Sequence, residues 1–349
     1  MARYIELESI TSSLHRQDSI YKPTPFWDSA SKRITAQIQD HGLDRFRRLP
    51  ICLSYFVPTY GPPTIGITSE QAKWIQAEFA REQPDSHKAQ LALEAYLTGK
   101  VNALSDYRVL SASLPQPDLF GLADFSESMI GDPIEQFVIE GKRFSRSSLN
   151  YLLGLSLLSR HADVSHIKTV MEIGGGFGTL GEILGKSTSQ KFKYIDIDIP
   201  PTSFVADFYL ASIFGRENVY SWLGLEERDK IDVSELPDHS VLCSWQIEKL
   251  VGKVDLFVNY ISFQEMEPEV VLNYFNQVRR LSPQWIILRN MREGKQRMSN
   301  TRNGVVKPIV SEDYVGMLGD FNLVVRSVIP FGYKTVDDFN SEILIFERK

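Results

Sequence analysis

The chain is 349 residues long, 43% hydrophobic and 23% charged, a globular composition long enough for one large domain or two ordinary ones. Its formal charge of −6 argues against a general nucleic-acid binder, which carries a basic excess to neutralise phosphates. Cys52 and Cys243 lie far apart without partners at metal-ligand spacing, so neither a disulfide framework nor a zinc site is expected. The acidic N-terminal residues and the lack of long apolar runs predict a cytoplasmic protein with no membrane contact.

Residues 1–145 carry short helical patterns between proline-rich loops and are expected to form a mainly helical accessory or lid domain. Thr68-Ser69-Glu70-Gln71 has the form of a capping box, with Ala72, Ile75 and Phe79 as the apolar stripe behind it. A second helix is expected over 86–97, ended by Gly99, while the prolines of 57–64 and 114–117 mark loops, either of which could form a substrate lid. From residue 146 onward the pattern changes to alternating strand and helix. Leu149, Leu152, Leu153 and Leu157 fall on one helical face, and Asn150 and Tyr151 on that helix are candidates to cap a cofactor pocket, or else its solvated edge.

The helix leads to a short buried strand, 169–173, stopped by Gly174-Gly175-Gly176-Phe177-Gly178; Leu180, Ile183 and Leu184 then recur at helical spacing. In such a strand-to-helix loop the backbone can approach a ligand with no Cβ atoms between. Gly176, Gly178 and Gly181 also satisfy the dinucleotide pattern, so the glycines alone leave two cofactor classes open. Glu172, at the end of the strand with its carboxylate expected to face the same pocket, separates them: it would repel a pyrophosphate and favour the ammonium and sulfonium groups of S-adenosyl-L-methionine. A tight turn that only permits close helix packing is the bland alternative.

A second strand, 192–199, ends at Asp198, where an acid roughly 20 residues past the glycines would hold ribose hydroxyls. Asp196 points to the same face two residues earlier and is expected to lie deeper. A helix after Pro200-Pro201 runs to Gly215, and a third strand, 241–244, is followed by Trp245 and Gln246, placed either to stack on adenine and read its edge or, for the tryptophan, simply to pack into the core. The fourth strand, 254–260, runs into Ser262-Phe263-Gln264-Glu265-Met266, and Pro268 starts a helix. A fifth strand, 285–288, precedes a basic run to Lys307. The last two strands, 323–329 and 342–346, are joined too briefly for a crossover and should pair antiparallel.

The glycine loop with its upstream Glu172, the acid ending the second strand, the five β–α units and the closing antiparallel strand resemble the class I S-adenosyl-L-methionine-dependent methyltransferases, over residues 146–349. The stretches 172–180, 197–201, 148–152 and 262–266 are similar to the sugar O-methyltransferase family. The resemblance implies an α/β fold with a Rossmann-like seven-stranded sheet. It also implies that Glu172, Gly174, Gly175, Gly176 and Phe177 line the methionine side, Asp198 the ribose, and the residues after the third strand the adenine.

A sugar hydroxyl has a high pKa and gains from a base or a metal in the transition state. Ligands of open α/β sheets bind beyond the carboxyl ends of the strands, so His161, His166 and His239 stand at the wrong edge. Nothing in the spacing of His15, His41 and His87 supports a base there. Glu265 is the candidate base, with Tyr260 beside it in the catalytic set and Gln264 as an acceptor contact; no metal ligand is assigned, Asp337-Asp338 reading as a solvated turn. Arg289 and Arg292 are candidates to hold a phosphate of a nucleotide-linked sugar, or else part of a solvated loop. The rival readings are an NAD(P)-dependent oxidoreductase, a methyltransferase with another O, N or C acceptor, and a non-catalytic scaffold. Homo-oligomer formation stays open.

Overall fold

The structure, a computed structural model, describes residues 2–299, 303–335 and 338–349. Six helices come first: α1 Ala2–His15, α2 Pro25–His41, α3 Pro50–Tyr55, α4 Ser69–Glu82, α5 His87–Leu97 and α6 Lys100–Ser113. A hairpin of β1 Phe137–Ile139 and β2 Lys142–Phe144 follows, then α7 Arg146–Ser159. The second half runs β3 Thr169–Ile173, α8 Thr179–Gly185, β4 Lys193–Asp198, α9 Thr202–Phe214, β5 Val219–Ser221, β6 Ile231–Asp232, β7 His239–Cys243, β8 Leu250–Val251, β9 Leu256–Tyr260, α10 Pro268–Arg280 and β10 Trp285–Met291. It ends with α11 Ser311–Met317, β11 Phe321–Ser327, β12 Tyr333–Lys334 and β13 Asn340–Arg348.

The sheet has the order β11-β13-β10-β9-β3-β4-β7-β5, with β12 beside β13. Strands β5, β7, β4, β3, β9 and β10 are parallel, and β13 runs antiparallel between β10 and β11, giving the expected Rossmann-like α/β sheet. It has nine strands rather than seven, because the short β5 and β12 add pairings at opposite sides. β3 lies at the centre with β4 on one side and β9 on the other, so a crevice opens beyond its carboxyl end, where the strand order reverses.

α4 starts as the sequence predicts. Thr68 Oγ1 accepts from the Gln71 N–H at 3.1 Å while Gln71 Oε1 accepts from the Thr68 N–H at 2.8 Å. Its stripe is only partly used: Ala72 is buried, Ile75 and Phe79 are half-buried, and Trp74 is exposed. α7 differs in the other sense, since residues 147–158 are buried all round. It is wedged between α6 and α8, so Asn150 and Tyr151 are not a solvated edge. Buried apolar residues of the helical half, such as Ile34 and Phe46, belong to one cluster with those of the sheet, such as Met171 and Ile345. Arg47 on the 3-10 turn Leu43–Arg48 adds a buried polar tie, pairing with Glu127 at 2.6 Å and Glu135 at 2.5 Å.

Candidate active site

Beyond the carboxyl end of β3 lies a cavity of about 1070 Å³, mostly apolar and open on one side. Gly174, Gly175, Gly176 and Phe177 form its floor, as expected of a loop whose φ angles of +74° at Gly174 and +63° at Gly176 favour glycine. Gly175 is required for a different reason. A Cβ there would stand 2.4 Å from Asp196 Oδ1, which is buried directly beneath the loop.

Asp198, at the end of β4, reaches the cavity. Its Oδ2 accepts from the Gly176 N–H at 3.1 Å and its Oδ1 from the Ile199 N–H at 2.7 Å, so the acid also fastens the loop. Burial pushes its carboxyl up to about 7, against the pull of the Ile199 N–H and the Thr202 hydroxyl. Asn150 and Tyr151 line the opposite wall. Asn150 is almost fully buried, yet its Oδ1 has no hydrogen-bond partner, an acceptor left open on a buried wall.

Glu172 does not face the cavity. In the parallel register it is level with Asp196, one side-chain repeat of about 7 Å below Asp198, and like Asp196 it is covered. Its Oε1 accepts from the Tyr151 hydroxyl at 2.7 Å and its Oε2 from the Tyr194 hydroxyl at 2.6 Å. Burial raises its carboxyl to about 7, although both hydroxyls stabilise the anion. Its role is therefore to fix Tyr151, whose ring stacks on Tyr260 with centroids 4.7 Å apart.

Trp245 and Gln246 are also displaced from their expected place. After β7 the chain closes into a 3-10 turn, Ser244–Lys249. There Gln246 Oε1 accepts from the Cys243 N–H at 2.9 Å, its Nε2 donates to the Trp222 carbonyl at 3.1 Å, and Trp245 packs into the core. Neither residue lines the cavity.

Beyond the carboxyl end of β9, Tyr260 and Glu265 also line the cavity. Glu265 is buried, with Oε1 paired to Lys295 Nζ at 2.8 Å and Oε2 accepting from the Trp27 indole N–H at 3.0 Å. Gln264 turns away: its N–H donates to Asn290 Oδ1 at 3.1 Å and its Oε1 accepts from the Met291 N–H at 2.6 Å, tying the loop to β10. Arg289 is buried behind Tyr260, and Arg292 is exposed and paired with Glu293 at 2.9 Å, so neither reaches the cavity. Ile261, next to Tyr260, holds φ +70°, a strained conformation for a β-branched residue, on the cavity wall.

The helical half contributes a wall, of which the 57–64 loop, expected as a candidate lid, supplies Pro58, while the other residues have no local sign in the sequence. Lys22, Thr24, Trp27, Tyr55, Phe56 and Pro58 line the cavity together with the glycine loop, against which Phe56 lies. Trp27 and Tyr55 lie 5.6 Å apart, and the indole is held by Glu265. Contacts between residues more than two hundred positions apart leave no local signal. Among the described residues no group of His, Cys, Asp and Glu is placed to hold a metal ion; Asp337 of the acid pair lies outside them. Nor is any described helix long and apolar enough to cross a membrane. His239 is buried against Phe214 at 4.1 Å, and burial lowers its imidazole to about 4.

No protein-family model matches the sequence, and no curated protein matches it. Among solved structures the chain is similar to the magnesium protoporphyrin IX methyltransferase of Synechocystis PCC 6803 with bound SAM, at 13% identity and a TM-score of 0.38, over 58% of this chain and 81% of that one. It is similar to the 1,6-didemethyltoxoflavin-N1-methyltransferase of Burkholderia thailandensis with bound S-adenosylhomocysteine, at 11% identity and a TM-score of 0.39, over 57% of this chain and 78% of that one. It is also similar to the mitomycin 7-O-methyltransferase, at 11% identity and a TM-score of 0.35, over 58% of each chain.

Proposed function

We propose that the chain is an S-adenosyl-L-methionine-dependent methyltransferase that methylates an oxygen of a small polar acceptor, a sugar or a glycosylated small molecule. The observation that carries this reading is the convergence of three features on one cavity at the sheet's switch point. These are a floor of glycine backbone, a carboxylate at the end of β4, and the unpartnered buried amide oxygen of Asn150. A cationic amine would satisfy Asn150 Oδ1, and ribose hydroxyls would use the remaining lone pairs of Asp198.

Bound there, S-adenosyl-L-methionine supplies a methyl carbon already activated for in-line displacement. What remains for the protein is alignment, exclusion of water and removal of a proton. Trp27 and Tyr55 offer the acceptor ring an apolar wall, and Tyr260, held by the Tyr151 stack and ultimately by Glu172, bounds it from the sheet side. Glu265 takes the hydroxyl proton in this proposal, its carboxylate kept in place by Lys295 and Trp27. Residues 1–145 act as the accessory unit that builds the acceptor wall. A phosphate-bearing acceptor is less well served, since Lys22 is the basic side chain on the cavity wall among the described residues.

Burial of Glu172 removes the charge argument against a dinucleotide, so the test must include one. Calorimetric titration with S-adenosylhomocysteine, NAD and NADP is expected to show saturable binding of the first alone. Binding of NAD or NADP in its place would overturn the assignment in favour of an oxidoreductase.

A further inference from the structure

Arg289 stands on β10 in register with Tyr260, on the far side of that tyrosine from the cavity. Its side chain is buried. Nε donates to Ser341 Oγ at 3.0 Å, but Nη1 has no hydrogen-bond partner. Ser341 pairs in register with Tyr333, and Arg146, the first residue of α7, lies over that ring. Its guanidinium spreads over the rings of Tyr60 at 5.8 Å and Tyr333 at 5.1 Å, and its Nη1 donates to the Thr59 carbonyl at 2.9 Å.

One carboxylate joins this cluster through Tyr60. That carboxylate, Asp106, accepts from the Tyr60 hydroxyl at 2.5 Å, and burial raises its proton affinity despite both arginines. Among the described residues no carboxylate comes within 4.0 Å of either guanidinium. Glu342, on the adjacent strand, pairs in register with Asn290 and so projects to the opposite face from Arg289. A buried guanidinium with no carboxylate in contact is costly, and its planar fork suits an oxyanion.

We infer that Arg289 and Arg146 form a binding site for a small oxyanion, a carboxylate or a phosphate, separate from the glycine-loop cavity. The unpartnered Nη1 of Arg289 is its deep donor. Arg146, Tyr333 and Ser341, around it, are each half-buried. The site stands on its own residues, whatever the cavity binds.

The test is thermal unfolding of the whole protein titrated with inorganic phosphate and, separately, with malonate, each against sodium chloride at matched ionic strength. A ligand that binds only the folded state raises the midpoint in a saturable way. The expected result is such a rise with at least one oxyanion, weakened about tenfold or more in apparent affinity by Arg146→Gln, as loss of a charge-assisted contact implies. A response to phosphate alone supports a phosphate ligand, and one to malonate alone a carboxylate. No rise beyond chloride, or a rise that Arg146→Gln leaves unchanged, overturns the site. Arg146 is half-exposed, so this variant decides the matter even where Arg289→Met fails to fold.

Discussion

The hydroxyl of Tyr260 fills the space that a side chain on Gly154 would need: a Cβ there would stand 1.5 Å from the oxygen. Gly154 lies in the fully buried stretch of α7, where neither partner has room to move. Gly154→Ala is expected to destabilise the protein by about 1–3 kcal/mol in chemical denaturation, although alanine is the better helix former. Tyr260→Phe, made in the same chain, should recover part of that loss. An additive double variant would mean the two residues are not coupled through this contact.

The buried carboxyl of Glu172 makes stability depend on pH. Its ordinary value is 4.5 and its folded value about 7, so between these the folded chain keeps a proton that the unfolded chain has lost. Stability from this group is full below about 4.5, falls as pH rises towards 7, and then levels off. Glu172→Gln should flatten the fall without abolishing it, because Asp198 is raised to about 7 as well. Urea unfolding at several pH values checks this; an unchanged slope would show that Glu172 is ionised in the folded protein.

Asp198 joins the loop to the ligand side of the cavity. Asp198→Ala removes the acceptor for the Gly176 and Ile199 N–H groups and is expected to weaken S-adenosylhomocysteine binding about 10- to 100-fold. In the unaltered protein affinity should rise from pH 6 to pH 8, as the group ionises around 7, and Asp198→Asn should lose that rise. Calorimetry at the two pH values measures both.

Glu265 and Lys295 separate a base from a tether. Glu265→Gln keeps an oxygen for the Trp27 indole and should lower methyl transfer by about 100-fold or more if the carboxylate takes the acceptor proton, with S-adenosylhomocysteine affinity unchanged. Lys295→Met strands a buried carboxylate and should cost about 3 kcal/mol of stability. Unchanged turnover in Glu265→Gln would leave Glu265 only the task of joining Trp27 to the sheet.

Seven principal strands, the glycine loop, the place of Asp198 at the end of β4 and the capping box at Thr68 were legible because each rests on local spacing or local chemistry, whereas short strands such as β5 and β12 carry too few residues for a pattern. Glu172 was misplaced although the means to place it were in the sequence: the alternation that set Asp196 below Asp198 applies equally to its register partner. Gln246 shows the other kind of failure. A polar side chain after a strand can read a ligand or cap its own backbone, and the Cys243 N–H decides only in three dimensions. Trp27 and Tyr55 could not be chosen, since their place is fixed by contacts with the distant loop that carries Glu265.

Because β13 lies between β10 and β11, the order in which the chain is made differs from the order in which its sheet can close. β11 is synthesised before β13 yet has no other strand to pair with, and one edge of β10, carrying the buried Ile286 and Ile287, stays bare until residues 340–348 arrive. A nascent chain stalled or cleaved ahead of that strand presents an apolar, unpaired β edge, the kind of template on which chains aggregate. Closure of this side of the sheet therefore waits on β13, far in the sequence from the loop that floors the cavity.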